Sequence, residues 1–270
     1  MRTAFIPAVT GAQSTAIAQA LRAASWQVSG SSRSDKDDPE SRAADADALI
    51  LTIPQDHRPG AMLGFVQGWV DIAQRRGVKR IVLNVGGLPG PAEIHPFFAD
   101  LHAAQNSVAK SGLPFVILQP TVYLDNLAAP WAAEGVAVGV IAYPAPPDAK
   151  VSWISHRTLG NWVVAVADGA ADGQVLQIGG PQALTGDDLA REIGAGLGRQ
   201  ITYSQLPLAD FARGLNAFAG PPAGDRLAAI YEWLSRHPNH MSINPTQADE
   251  YEVQLEQARD FAGRVLGKNG

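Results

Sequence analysis

The chain has 270 residues, 46% hydrophobic and 17% charged, enough apolar material for one large α/β domain or for a large one with a smaller appendage. A net charge of -5 without a basic block argues against nucleic acid as a primary partner. The lack of cysteine removes disulfides, thiolate nucleophiles and cysteine-ligated metals, and no apolar run approaches the length that crosses a bilayer, so a cytoplasmic protein with no membrane partner and no metal site is expected.

The first elements set the theme. A short apolar run with Ala4, Phe5 and Ile6 predicts a strand, Thr10-Gly11-Ala12-Gln13 a turn, Ser14 to Ser25 an alanine-rich helix, and Trp26 to Gly30 a second strand. This is the order of a nucleotide-binding βαβ unit, in which the turn carries the chemistry. Ser14 is the expected N-cap, and a helix N-terminus offers free N–H groups and partial positive charge to an anion. Thr10, Gly11, Ala12 and Gln13 are therefore the candidates to meet phosphate. Arg33, just past the second strand, is placed where a basic side chain can meet the 2′-phosphate of NADP(H).

Residues 35 to 44 are polar and predict a loop or irregular helix; Leu49 to Ile53 then forms a strand stopped by Pro54. Met62, Phe65, Val66, Trp69 and Val70 fall at helical spacing, and Gly77 ends that helix. Ile81 to Val85 is a further buried strand, followed by a glycine- and proline-rich loop from Gly86 to Pro91. Because ligands of open α/β sheets bind at the carboxyl ends of the strands, Thr52, Ile53, Pro54, Asn84 and Val85 are expected to line a cofactor groove. A helix from Phe97 to Ser111 and a strand from Phe115 to Leu118 follow.

In the second half, Trp131 to Pro147 has the composition of an excursion on the substrate side. Helices are predicted over Thr158 to Ala170 and over Asp187 to Leu197, the latter with Thr185 as N-cap and Gly198 as stop. Ile201 to Leu206 alternates like an edge strand; Asp210 to His237 is a helical pair broken at Gly220-Pro221-Pro222, and Gln247 to Leu266 is an amphipathic tail expected to pack on the main domain.

These segments carry a family resemblance. Gly77-Val78-Lys79-Arg80-Ile81-Val82, Ser111-Gly112-Leu113-Pro114-Phe115 through Gln119-Pro120, Asn126-Leu127, Ile178-Gly179-Gly180-Pro181 and Leu197-Gly198-Arg199 resemble the NmrA-like branch of the atypical short-chain dehydrogenases across essentially the whole chain. The resemblance implies an α/β fold with a Rossmann-like, doubly wound parallel sheet and a small C-terminal α/β substrate domain, and usually NADP(H). It divides the chain into a nucleotide-binding part over 1–150, with returning segments from 151–180, and a mainly helical substrate or lid region over 181–270. It implies an NAD(P)H-dependent oxidoreductase reducing a small apolar carbonyl, quinone or enone. The alternative is a non-catalytic NADP(H)-sensing regulator, or a cofactor-independent enzyme reusing the cleft; a homodimer is admitted as the assembly.

The departures bear on mechanism. The glycines of the family's Gly-x-x-Gly-x-x-Gly turn fall on Pro7, Thr10 and Gln13, the arginine expected before Pro120 is Gln119, and Leu101-His102 stand where many catalytic members have lysine. No Tyr-x-x-x-Lys pair occurs in that helix, so a phenol with a cation-lowered pKa is not available. The candidate substitute acids are Tyr123, at the sheet's carboxyl edge, His95, after the flexible loop, and His102. Each has a plainer alternative: a pocket wall for Tyr123, a loop cap for His95 beside Pro96, and a packing residue for His102. Trp153 and His156 read as a core aromatic and an exposed histidine.

Overall fold

A computed structural model describes residues 1–32, 39–54, 56 and 58–268. Six strands form one wholly parallel sheet: β1 (Thr3–Ile6), β2 (Gln27–Gly30), β3 (Ala48–Thr52), β4 (Ile81–Asn84), β5 (Phe115–Pro120) and β7 (Gln174–Ile178), in the order β2-β1-β3-β4-β5-β7. A separate parallel pair joins β6 (Val140–Tyr143) to β8 (Thr202–Gln205). The helices are α1 (Ala12–Ala23), α2 (Pro39–Arg42), α3 (Ala61–Arg75), α4 (Pro96–Ala109), α5 (Pro130–Ala137), α6 (His156–Val166), α7 (Gly186–Leu197), α8 (Leu208–Ala219), α9 (Ala223–Arg236), α10 (Thr246–Glu250) and α11 (Ala258–Val265).

Continuous apolar strands are what a parallel sheet covered on both faces requires. On β3 and β4, Leu49, Leu51, Ile81 and Leu83 point into one core with α3 and α4. Their neighbours Ala48, Ile50 and Val82 point into the other, with α1 and α6. Helices α1 and α6 pack directly on each other, where a Cβ at Gly160 would meet Ala20 at 2.8 Å. The first core runs on without interruption beneath β6, β8 and α7 to α9, so the smaller sheet is fused to the larger. The chain reverses direction across the sheet between β1 and β3, the point where open α/β sheets bind ligands beyond the strands' carboxyl ends.

Several expectations are refined. Ser14 is not the N-cap of α1; the cap is Gly11, with no side-chain bond, and Ser14 lies buried within the first turn. The stretch from Trp131 builds α5 and β6, and the edge strand expected after Ile201 is β8, which pairs in parallel with β6 in the separate two-stranded sheet. The tail divides: Ala248 and Val253 join the core under α1 and α6, whereas α11 packs on α7. The short polar segment gives the single turn of α2.

Candidate active site

Four elements deliver polar side chains to the carboxyl end of the sheet near the switch point. Gln13 stands in the first turn of α1, Thr52 ends β3, Asn84 ends β4, and Tyr123 follows β5. Asn84 is fully buried and saturated: its Nδ2 donates to Gln13 Oε1 at 2.7 Å and lies 3.4 Å from Thr52 Oγ1, while its Oδ1 accepts from the Gly86 N–H at 3.1 Å. The Tyr123 hydroxyl donates to the same Gln13 oxygen at 3.2 Å and lies 3.5 Å from Asn84 Oδ1. Burial raises the Tyr123 phenol far above its ordinary range, outweighing the stabilisation from Asn84, so the hydroxyl stays protonated and acts as a donor.

Tyr123 is held from behind. The His156 ring meets it edge-on with centroids 4.8 Å apart. His156 Nδ1 is 3.3 Å from Asp125 Oδ1, and the His156 backbone N–H donates to the other carboxylate oxygen at 2.8 Å. Burial lowers the His156 imidazole below its usual range despite the opposing pull of Asp125. The sequence reading of His156 as exposed is corrected: its side chain is only 16% exposed because it opens α6 directly under Tyr123. No sequence signal announces the Asp125–His156 pair, since the partners are 31 residues apart and meet only through the fold.

Beside this cluster lies a cavity of about 270 Å³ that Gln13, Val85 and Tyr123 line together with aromatic walls from Phe98, Trp131, Phe211 and Tyr231. A larger hollow of about 720 Å³ runs along α7 and β8, remote from the strand ends, and holds none of the expected residues. The smaller one is the better site, because convergent polar groups open into it at the switch point.

The other expected residues divide clearly. Thr10, Gly11 and Ala12 are exposed at the head of α1, and Pro54 is half-buried. Ile53 and Val85 are buried, and their N–H groups donate to the Asn84 and Leu118 carbonyls, both at 3.0 Å. His95 caps α4, its Nδ1 accepting from the Phe97 N–H at 3.1 Å, and burial followed by the Arg226 guanidinium lowers its pKa. His102 sets its Nε2 3.0 Å from the Gly90 carbonyl. Neither histidine lines the cavity. Arg33 lies outside the described residues. Gln119 donates to Gln105 at 2.7 Å, both buried, so the residue replacing the family's arginine serves the packing of α4 on β5.

Similar proteins bear on this arrangement. The NAD(P)H azoreductase of Xenophilus azovorans is 26% identical over 167 residues, 60% of this chain and 57% of that protein. Quinone oxidoreductase 2 of Escherichia coli is 29% identical over 170 residues, 56% of this chain and 57% of that protein. The chain thus spans little more than half the length of these curated relatives. Among solved structures, the negative transcriptional regulator NmrA in complex with NADP superposes with a TM-score of 0.74 at 16% identity, over 99% of this chain and 96% of that one, a likeness of fold. The family model described as "NmrA-like family" matches residues 5–262, and the chain belongs to that family.

Proposed function

We propose that the protein is an NAD(P)H-dependent oxidoreductase that reduces a small, apolar carbonyl, quinone or enone. The observation that carries this reading is the buried, protonated Tyr123 hydroxyl at the edge of an aromatic cavity, beside the head of α1. The nucleotide would supply a hydride. The residues at the head of α1 fit its phosphates: Gly11 caps the helix without a side-chain bond, no acidic residue occupies the first turn, and a Cβ on Gly11 would come no nearer than 3.5 Å to its neighbours. Gln13, in the first turn of α1, also lines the cavity, where it accepts from Asn84 and Tyr123. Tyr123 donates a hydrogen bond to the substrate oxygen, His156 and Asp125 keep its ring in place, and the aromatic walls exclude water. Under the same reading, residues 1–150 with segments from 151–180 hold the nucleotide and 181–270 cover the substrate; Phe211 and Tyr231, which line the cavity, support that division.

Titration of the protein with NADPH and NADH by calorimetry tests the reading. Micromolar NADPH binding followed by its oxidation with a quinone is expected, and no binding of either nucleotide removes the proposal. Arg33→Ala is expected to weaken NADPH far more than NADH; equal loss of both ends the 2′-phosphate role. The second reading, a regulator that binds nucleotide without turning it over, is favoured by the two hydrogen bonds that hold Gln13 across the cluster. Nucleotide binding without oxidation by any of a panel of quinones and enones selects it.

A further inference from the structure

The Gln13 carboxamide oxygen accepts hydrogen bonds from two side chains remote in sequence, Asn84 Nδ2 at 2.7 Å and Tyr123 Oη at 3.2 Å. Both donors are fixed. The Gly86 N–H holds Asn84 Oδ1, which turns the amide nitrogen of this fully buried residue toward Gln13. Tyr123, 5% exposed, is backed by the His156 ring. Two preorganised donors converging on one sp² oxygen form the arrangement that recognises a carbonyl. The acceptor differs from its donors: Gln13 is half-buried, carries a long flexible side chain, and sits in an exposed turn.

We infer that Tyr123 Oη and Asn84 Nδ2 form a receptor for a ligand's carbonyl oxygen, and that the Gln13 carboxamide is its built-in occupant, which the ligand displaces. The cavity beside the receptor defines the ligand. Its described lining includes Phe97, Phe98, Trp131 and Phe211 and no acidic, basic or histidine side chain, so a charge on the ligand would be buried without a partner. The receptor therefore takes a neutral, flat, aromatic ketone, quinone or enone. This deepens the oxidoreductase reading and rests on it only for the reaction, because the binding step needs no nucleotide.

Displacement has a measurable signature. When a ketone replaces Gln13, one hydrogen-bonded carbonyl is exchanged for another, so the wild-type protein gains little from the ligand's oxygen. Without the Gln13 oxygen the receptor is free, and the ligand's carbonyl contributes in full. The experiment is calorimetry of the full chain with 2-acetylnaphthalene and with 2-ethylnaphthalene, the measured quantity being the ratio of the two affinities. That ratio is expected to lie within about twofold of one in the wild type and to rise to about tenfold in Gln13→Ala. Adding Tyr123→Phe, which removes only the hydroxyl, is expected to bring the ratio back toward the wild-type value. Infrared spectra of the bound ketone should show its C=O stretch shifted down in Gln13→Ala and recovering in the double variant. A ratio unchanged by Gln13→Ala, a raised ratio indifferent to Tyr123→Phe, or failure of the ketone to bind Gln13→Ala would each overturn the inference. Loss of the oxidoreductase reading shows differently, as absence of NADPH binding while the ketone ratio still responds to Gln13→Ala.

Discussion

Helices α1 and α7 are each twelve residues long, and their N-termini are built in opposite ways. At α7 the Thr185 hydroxyl accepts from the Asp188 N–H at 3.2 Å, the Asp188 carboxylate accepts from the Thr185 N–H at 3.3 Å, and Asp187 adds a second negative charge to the first turn. This capping box satisfies the helix end internally. At α1 the cap is Gly11, which makes no side-chain capping bond, and no acidic residue balances the dipole. A helix end satisfied by its own side chains contributes to folding, whereas one left open at a sheet's carboxyl edge keeps its N–H groups for a ligand.

The sharpest way to break the comparison is to force the turn before α1 away from β2. A Cβ at Gly30 would lie 2.6 Å from the Ile6 carbonyl oxygen and 2.7 Å from Val9 Cβ, contacts that only backbone movement relieves. Gly30→Ala is expected to destabilise the protein by about 3 kcal/mol in urea unfolding and to weaken NADPH binding as well. Retained nucleotide affinity in a destabilised variant would show that the turn does not contact the phosphates.

Acid separates the two regions next. Burial lowers the pKa of His95, His156 and His240, so the unfolded chain binds more protons than the folded one as pH falls. Their contribution is complete above the ordinary histidine value of 6.5 and is lost as pH drops through it and below. At α7, the Thr185 hydroxyl lowers the Asp188 carboxyl and the Arg259 guanidinium lowers that of Glu192, so stability there is lost only below the ordinary carboxylate values of 3.8 and 4.5. Hydrogen exchange at pH 5 compared with pH 8 should therefore show weakened protection in α6 with α7 unchanged; equal loss in both would contradict the assignment.

Thr185→Ala removes the α7 cap and is expected to cost about 1 kcal/mol in thermal unfolding while leaving ligand affinities unaltered. The smallest change is the most diagnostic. Ala12→Asp adds an acid to the first turn of α1, which should stabilise the helix by roughly 0.3–1 kcal/mol yet weaken NADPH, since under the proposed function the new charge would face its phosphates. A variant that gains both stability and nucleotide affinity would refute an anion site at α1.

Much of this was legible in the chain. The alternation of strand and helix follows from periodicity, and Thr185 was readable as a cap because it stands three residues before Asp188 in a local pattern. Gln13, Asn84 and Tyr123 were each identifiable as candidates, since residues at strand ends and in the first turn must face the sheet's carboxyl edge. Ser14 as N-cap was the natural misreading: propensity favours serine, but the helix is capped three residues earlier, with Thr15 N–H donating to the Gly11 carbonyl at 2.8 Å.

Local pattern determined the elements, because hydrophobic periodicity and turn residues act over a few positions. The partners of the side chains at the candidate site come from contacts that the chain pattern does not encode. Gln13 meets Asn84 across 71 residues and Tyr123 across 110, and His156 finds Asp125 across 31. Likewise, β6 and β8 pair in parallel although neither segment, taken alone, names its partner. Such partnerships depend on sheet order and on which helix end opens at which strand, and these are set by burying both faces of the sheet at once, a condition on the whole chain.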